Sequence, residues 1–293
     1  MNDRDQKNFY ETIISRTLSC PVKVTRYSPI GGGCIHQAVK VETSGHGPFF
    51  VKSNDAVDAD MFEKEYLGLI KLRAAGTLYV PEPLGYGQDD HRSYIITEFT
   101  ESGRREPDFW EKFGNGLADL HRQHADRYGF EHDNYIGRLP QRNDYMGNWI
   151  DFFIGMRLDV QLKMAVDMHR VDQAFSRRFG DFMKLLPDML PEEPPSLLHG
   201  DLWSGNFMTG SGGYAVIIDP AVYYGNREIE LSFTRMFGGF DDTFYHFYHR
   251  AYPLAPGFEE RVDIYNLYPT LVHVNLFGSS YLSGLERVLR RFT

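Results

Sequence analysis

The chain has 293 residues, enough to bury a large core in one domain or in two lobes. Its 31 basic and 40 acidic side chains give a formal net charge of -9, which argues against a nucleic-acid-binding protein, because such proteins present a basic surface. Two cysteines are too few for a disulfide framework or a zinc site. The sequence shows neither a signal peptide nor the ~20 apolar residues of a membrane span. We therefore expect a protein of the reducing cytoplasm.

The first hundred residues contain short strand-like runs separated by glycine-rich or polar turns. These runs are PVKVTRYSPI, CIHQAVKVETS, GPFFVKSN and RSYIITEFT. A helix is predicted at the start of the chain, where Phe9, Ile13, Ile14 and Leu18 form one apolar stripe. A second helix is predicted from about residue 58 to residue 75 by the same spacing of apolar side chains.

Long helical patterns follow residue 106. They are PDFWEKFGNGLADLHRQH, NWIDFFIGMRLDVQLKMAVDM, VDQAFSRRFGDFMKLL and YPTLVHVNLFGSSYLSGLERVLRR. A short hairpin is predicted around NFMTGSGGYAVIID, with its turn at the glycine pair. We therefore expect an α+β fold with a small antiparallel lobe at 1–98, a connector at 99–105, and a helical lobe at 106–293.

Three glycines stand between two predicted strands. In SPIGGGCIHQAVKV, backbone amides at Gly31, Gly32 and Gly33 could approach a bound anion without obstruction by side chains. Alone, such a run is more often a flexible hairpin. Lys52 follows Gly33 by 19 residues, near the end of a strand, and could reach phosphates.

An acidic partner for Lys52 is expected on the second predicted helix. Glu65 lies 13 residues after Lys52 and could hold its ammonium group in an ion pair. Glu63 is the rival for this role, and we favour Glu65 for its spacing from Phe62 on the helix.

The stretch LLHGDLWSGNFMTGSGGYAVIIDPA combines acids and a carboxamide around short apolar runs. Transfer of a nucleotide's terminal phosphoryl group requires hard oxygen ligands for Mg²⁺, which Asn206 and Asp219 could supply. Asp201 could orient the attacking hydroxyl and accept its proton. The order Asp-x4-Asn matches the kinase pattern H-R-D-x-x-x-x-N, with His199-Gly200-Asp201 at its start.

Several segments closely resemble the fructosamine kinase family, also called ketosamine-3-kinases. They are GGGCIHQAVKV, LLHGDLWSGNF, IIDPAVYYGNREIELSFTRMFGGF and LYPTLVHVNLFGSSYL, and the resemblance runs from about residue 10 to the C-terminus. It implies the two-lobed protein-kinase-like fold shared with aminoglycoside phosphotransferases and choline kinases. It also implies ATP bound under residues 31–36, with Lys52 on the phosphates and Glu65 behind it.

The same resemblance implies further roles. Backbone groups of Glu98, Phe99 and Thr100 would meet the adenine, Asp201 would be the base, and Asn206 and Asp219 would hold magnesium. The kinase Asp-Phe-Gly appears here as Asp219-Pro220-Ala221. Since proline fixes φ and removes a donor, we do not expect this loop to flip.

The family substrate is a ketosamine on a protein lysine or a small amine, phosphorylated at its 3-hydroxyl. The product is unstable and returns the free amine, which implies deglycation repair with ATP and a ketosamine as partners. Trp203 could lie against the sugar or be a core residue under the loop, and we also place His199 with the acceptor. Further acceptor candidates by resemblance alone are Asn143, Asp144, His273 and Asn275.

Cys34 directly follows the glycines. We hypothesise that its oxidation, as an intermolecular disulfide for example, blocks nucleotide binding. The alternative is a small side chain packed under the loop.

Two other functions stay open at this point. A kinase for an aminoglycoside, choline or another amino alcohol would keep every ATP-binding residue. A non-catalytic nucleotide-binding pseudokinase would be expected to lose at least one of Lys52, Asp201, Asn206 and Asp219, and all four are present.

Overall fold

The computed structural model describes residues 3–31, 37–55, 60–89 and 92–292. Backbone contacts divide the chain into two compact units: unit 1 is Met1–Phe109 with Phe207–Pro220, and unit 2 is Trp110–Asn206 with Ala221–Thr293. The hairpin after Asn206 thus groups with the N-terminal residues, while our sequence-based lobe boundaries remain a proposal. Within the described ranges, no helix is long and apolar enough to cross a membrane.

Unit 1 is built on a five-stranded antiparallel sheet. Its order is β1-β2-β3-β5-β4. The strands are β1 (Val24–Pro29), β2 (Gln37–Thr43), β3 (Phe49–Asp55), β4 (Pro83–Asp89) and β5 (Arg92–Glu98). The helices are α1 (Asp3–Leu18) and α2 (Met61–Ala75), and the first residue of α3 (Phe109–His121) also belongs to this unit.

The apolar stripe predicted on the first helix is confirmed. Ile13 and Ile14 of α1 are fully buried in one cluster with Val51 of β3 and Ile96 of β5. Burial of each such side chain contributes about 1.5–3 kcal/mol. This packing fixes α1 against the sheet and so supports β3, the strand that carries Lys52.

Strand β4 was not predicted. It begins at Pro83 and contains Gly85 and Gly87, a composition typical of a turn. It lies at the edge of the sheet, where proline and glycine are tolerated because half of the backbone groups need no ladder partner. A Cβ atom at Gly85 would lie 2.8 Å from a methyl group of Thr17, so close packing on α1 requires glycine there.

The predicted hairpin is present. Strands β9 (Phe207–Thr209) and β10 (Ala215–Ile217) pair antiparallel, and Gly213 adopts a φ of +76° in the turn. Such a left-handed conformation favours glycine. A parallel bridge between Tyr79 and Val216 attaches this hairpin to the rest of unit 1.

Unit 2 is mainly helical. Two short antiparallel pairs join β6 (Asn134–Ile136) to β7 (Leu139–Gln141) and β8 (Ser196–Leu198) to β11 (Tyr223–Gly225). The helices are α3 from its second residue onward, α4 (Trp149–Phe152), α5 (Asp159–Asp167), α6 (Gln173–Met183), α7 (Leu186–Met189), α8 (Arg227–Met236), α9 (Asp242–Ala251), α10 (Phe258–Tyr265), α11 (Leu267–Phe277) and α12 (Leu282–Phe292). A π-helical segment, Phe153–Leu158, links α4 to α5.

One sequence expectation needs correction in this unit, and helices α8, α9 and α10 lie outside the predicted helical patterns. The last helical pattern is not continuous, since Gly278 at a φ of +98° ends α11 and a 3-10 turn at Ser279–Tyr281 precedes α12. Helix α8 was not predicted, because its buried face includes Arg227, Glu228 and Glu230, and these charges hide the apolar periodicity.

Candidate active site

A buried ammonium group joins three segments of unit 1. Lys52 on β3 is only 5% exposed, and its Nζ atom lies 2.8 Å from Glu65 Oε1 on α2 and 2.7 Å from Asp219 Oδ1. The predicted ion pair with Glu65 is therefore present. Burial would lower the pKa of Lys52, but the carboxylates of Asp219 and Glu65 outweigh it and raise that pKa above its ordinary value. Lys52 thus keeps its positive charge.

Asp219 is the second residue after strand β10 and adopts a left-handed backbone, with φ at +56°. Aspartate visits this region more readily than most residues, although with a small penalty. Its side chain is 44% exposed while one of its oxygens contacts Lys52. The ion pair and the backbone conformation together hold a half-exposed carboxylate at the end of the hairpin.

The other residues predicted to bind the nucleotide belong to the glycine run after β1, to the end of β5 and to the connector that follows it. Gly31 is exposed after β1, whereas Gly32, Gly33 and Cys34 lie outside the described residues, and with them the redox hypothesis. Glu98 ends β5, and its carboxylate accepts a hydrogen bond from Tyr79 at 2.5 Å.

The next two connector residues are half-buried. The ammonium of Lys40 lies 4.3 Å from the ring centre of Phe99. The hydroxyl oxygen of Thr100 is buried and has no hydrogen-bond partner among the described residues. Backbone contacts of the connector with an adenine remain a prediction.

The loop after β8 in unit 2 pairs the predicted base with a predicted metal ligand. Asn206 Nδ2 donates to the carbonyl oxygen and to Oδ2 of Asp201, both at 2.8 Å. The backbone amide of Asn206 also donates to the Trp203 carbonyl at 2.9 Å, which closes the loop. The five-residue spacing read from the sequence thus corresponds to a direct contact.

An acid that the sequence did not indicate lies beneath this loop. The carboxylate of Glu230 on α8 accepts hydrogen bonds from the backbone amides of His199 at 3.1 Å and Gly200 at 2.6 Å. Its Oε2 atom also contacts His121 Nε2 at 2.9 Å. Burial would raise the pKa of Glu230, but the bond from His121 and the Gly200 amide lower it below its ordinary value. Glu230 is therefore an anion that fixes the start of the loop.

His121 is fully buried. Burial lowers its pKa against the opposite effect of Glu230, so its ring is neutral. A neutral ring that contacts a carboxylate at Nε2 carries its proton there, and Nδ1 then accepts from the Tyr248 hydroxyl at 2.7 Å.

Backbone geometry fixes the residue before the base. Gly200 adopts a φ of +83°, and a Cβ atom there would lie 2.0 Å from the carbonyl oxygen of Ala221. The Ala221 amide donates to the His199 carbonyl at 2.9 Å. The His199 ring is fully buried, and its Nδ1 atom accepts from the Asp201 amide at 3.3 Å. That contact is internal to the loop, and a contact of His199 with an acceptor stays a prediction.

Buried carboxamides hold the segment that follows Asp219-Pro220. Gln141 Nε2 donates to the Ala221 carbonyl at 3.1 Å and to Asn134 Oδ1 at 2.8 Å, while Gln141 Oε1 accepts from the Tyr268 hydroxyl at 2.7 Å. Asn134 donates to the Val222 carbonyl at 2.8 Å. This network ties residues 221 and 222 to β6, β7 and α11.

Two of the acceptor candidates have structural partners. Asn143 is buried, and its side chain donates to Asn134 at 3.1 Å and accepts from Arg157 at 2.8 Å. Asn275 donates to the backbone and side-chain oxygens of Gln161 at 3.0 and 2.8 Å, a bond between the packed helices α11 and α5.

The remaining acceptor candidates differ in their surroundings. Asp144 is exposed and pairs with Arg142. His273 lines a cavity of about 30 Å³ whose wall also includes Asp201 and Tyr268. Trp203 is half-buried and packs edge-on against Phe237 at 5.7 Å between ring centres. A contact of Trp203 with the acceptor sugar stays a prediction.

The donor chemistry of the predicted metal ligands suits Mg²⁺. Asn206 turns its nitrogen to Asp201, and the same carboxamide carries Oδ1, a neutral oxygen of the kind that Mg²⁺ accepts. Asp219 adds a half-exposed carboxylate. Among the described residues, no group of three or more His, Cys, Asp or Glu side chains could hold a metal. Each donor by itself is of a type found at Mg²⁺ sites, and a magnesium ion shared by the two residues stays a prediction.

Comparisons with known proteins agree with these motifs. The profile described as fructosamine kinase matches residues 7–293. A chloroplastic protein-ribulosamine 3-kinase of Oryza sativa subsp. indica is 40% identical over 281 residues, which cover 91% of this chain and 78% of that protein. The ketosamine-3-kinase of Mus musculus is 35% identical over 313 residues, covering 97% of this chain and 99% of that protein.

A solved structure shows the same fold. The crystal structure of a fructosamine-3-kinase-like protein of Thermobifida fusca has a TM-score of 0.85 and 31% identity, covering 97% of this chain and 98% of that one. The fold is protein-kinase-like, with an antiparallel sheet in the N-terminal unit and helices in the C-terminal unit. The profile match spans nearly the whole sequence, and the chain belongs to the fructosamine kinase family.

Proposed function

We propose that this chain is an ATP-dependent kinase that phosphorylates the 3-hydroxyl of ketosamines. Family membership supports the acceptor class, and relatives are named ketosamine-3-kinase and protein-ribulosamine 3-kinase. The observation that carries phosphoryl transfer is the contact between Asn206 and Asp201, together with a Lys52 that stays charged between Glu65 and Asp219. Neither a different amino alcohol acceptor nor a non-catalytic role is favoured by these relatives.

In the proposed reaction Asp201 orients the 3-hydroxyl and accepts its proton as the oxygen attacks the terminal phosphorus of ATP. The bond between that phosphorus and the bridging oxygen breaks, and ADP leaves with the electron pair. Lys52 holds the phosphates, and Glu65 positions Lys52. Asn206 and Asp219 would hold Mg²⁺, which neutralises charge that develops on the phosphates.

Glu230 keeps the base in place during this reaction. Because its carboxylate binds the two amides that precede Asp201, the loop start cannot rotate without breaking two charge-assisted hydrogen bonds. Gly31, Gly32 and Gly33 are proposed to cover the nucleotide, with Glu98, Phe99 and Thr100 along its adenine and Trp203 against the acceptor sugar.

The proposed biological outcome is release of the amine from an unstable 3-phosphate, that is, deglycation. A cytoplasmic location stays a prediction, and three plant relatives are named chloroplastic.

An acceptor screen tests the proposed function. The purified chain with Mg-ATP is offered Nα-blocked fructoselysine, Nα-blocked ribuloselysine, an aminoglycoside and choline, and ADP release and the phosphorylated product are measured. We expect turnover with the two ketosamines. Asp201→Asn keeps the shape of the base but removes its charge, and we expect it to lower kcat by about 10²–10⁴-fold. Turnover of choline or the aminoglycoside alone would refute the ketosamine assignment.

A further inference from the structure

An exposed group of aromatic rings lies beside the catalytic loop in unit 2. We define the aromatic cluster as Trp203, Phe237, His273, Phe277 and Tyr281. The Trp203 and Phe237 rings are 5.7 Å apart, and the Phe237 and His273 rings are 5.0 Å apart. His273 in turn lies 5.5 Å from Phe277 and 5.1 Å from Tyr281.

Two members of the cluster are exposed to solvent. Phe237 is 41% exposed and Phe277 is 54% exposed. Large apolar side chains exposed side by side mark an interaction site more often than single ones do. The cluster is also continuous with the reaction centre, because His273 lines the same cavity as Asp201 and Trp203 stands two residues after that base.

The His273 ring has a defined proton position. Its Nδ1 atom lies 2.7 Å from the Pro269 carbonyl oxygen, which can only accept, so Nδ1 carries the proton. Burial lowers the pKa of His273, so the ring is neutral at pH 7 and Nε2 is a hydrogen-bond acceptor. A neutral, electron-rich ring with one acceptor nitrogen suits a cation better than an anion.

Ketosamine chemistry places a cation close to the reacting hydroxyl. The secondary amine of an alkyl ketosamine is protonated at pH 7, and three carbon atoms separate its nitrogen from the 3-hydroxyl oxygen. When that oxygen meets Asp201, the ammonium must therefore lie within a few ångström of the same loop. The two acids that line the cavity are already engaged, since Glu230 holds backbone amides and Asp201 contacts Asn206.

We propose that the aromatic cluster, with the Nε2 atom of His273, binds the protonated amine of the ketosamine and the first carbon atoms of the group that carries it. Ring faces attract a cation through their quadrupole, and the ammonium donates a hydrogen bond to Nε2. These two interactions favour sugars that carry a protonated amine over neutral sugars. They need no carboxylate to pair with the ammonium group. The inference rests on the proposed ketosamine phosphorylation.

The test compares two acceptors that share a sugar but differ in charge. One is fructose carrying a protonated alkylamine at C1, and the other is the matching 1-O-alkyl ether, which is neutral. We expect Phe277→Leu and Phe237→Leu each to lower kcat/KM for the amine by about ten-fold and for the ether by less than about two-fold. Both residues are exposed, and a thermal melt of each variant verifies folding.

Matched variants complete the design. Phe277→Tyr keeps a ring face and should retain the wild-type preference for the amine. Tyr86→Leu removes an equally exposed ring, 40% accessible, from unit 1 and should change neither acceptor. Equal losses for amine and ether, or no loss for either, would overturn the inference while leaving ketosamine phosphorylation intact. Failure of the wild type to phosphorylate the amine would instead refute the proposed function.

Discussion

Asn206 Nδ2 lies 2.8 Å from Asp201 Oδ2 and the same distance from the Asp201 carbonyl oxygen. One carboxamide therefore orients the proposed base by its nitrogen, while its oxygen is of the type that a magnesium ion accepts. This double role explains why asparagine, rather than a second aspartate, follows the base at this spacing, because a carboxylate cannot donate to another carboxylate.

Asn206→Asp should impair the base and change its pH dependence. The variant loses a charge-assisted hydrogen bond worth about 1.5–3 kcal/mol and sets a second carboxylate beside Asp201. We expect kcat to fall about 10- to 100-fold and the acid limb of the pH profile of kcat to move to higher pH. Asn206→Ala removes the donor without adding charge and should move the acid limb in the same direction but by less. An unchanged limb in Asn206→Asp would contradict the contact.

Glu65→Gln should weaken ATP binding. Lys52 keeps Asp219 as a partner, but its ammonium loses one of two carboxylates in a buried place. We expect KM for ATP to rise about ten-fold and the free energy of unfolding to drop by about 1–3 kcal/mol. Glu63→Gln is the control, since Glu63 accepts only a long 3.3 Å bond from Tyr86 in the described contacts. Equal effects of the two variants would show that Glu65 is not the functional partner of Lys52.

Gln141→Leu should destabilise the segment after Asp219. The change leaves the Tyr268 hydroxyl, Asn134 Oδ1 and the Ala221 carbonyl each without one buried hydrogen bond. With about 1 kcal/mol or more for each, the free energy of unfolding should fall by roughly 3 kcal/mol. Tyr268→Phe removes only one of these bonds and should cost about 1 kcal/mol. Urea unfolding measures the stability of both variants. Midpoints indistinguishable from that of the wild type would show that the network adds no stability.

The buried imidazole of His121 should make the folded protein less stable in mild acid. Its pKa is lowered in the folded protein, so below about pH 6.5 the unfolded chain binds more protons than the folded one. The free energy of unfolding then decreases as pH falls, by up to ~1.4 kcal/mol per pH unit from this group. Glu230, whose pKa is also lowered, acts in the same direction below about pH 4.3.

His121→Gln separates this effect from the other histidines. Glutamine can still donate to Glu230 but does not titrate, so the variant should lose part of the slope between about pH 6.5 and pH 5, while His273, whose pKa burial also lowers, keeps its share. Urea unfolding of both proteins across this range gives the difference. A variant with the wild-type slope would mean that His121 is not the titrating group.

Most of the secondary structure near the proposed nucleotide site was predictable. The stripe on α1, the strands β1, β2, β3 and β5 and the helix of Glu65 all follow from local periodicity, which needs no knowledge of distant contacts. Strand β4 escaped because its glycines and proline are typical of turns, and only its place at the sheet edge makes them acceptable. Helix α8 escaped because its buried acids find partners that lie far away in the chain.

The sequence by itself determined the chemistry: which residues carry charge, the ion pair of Lys52 and Glu65, and the Asp-x4-Asn spacing, all set by short separations along the chain. Only the tertiary structure decided which buried polar groups meet. Glu230 reaches His121 across 109 residues and the Gly200 amide across 30, and Tyr268 reaches Gln141 across 127. A buried polar group must find a partner, yet many partners satisfy it equally well, so the packing of helices and strands makes the choice.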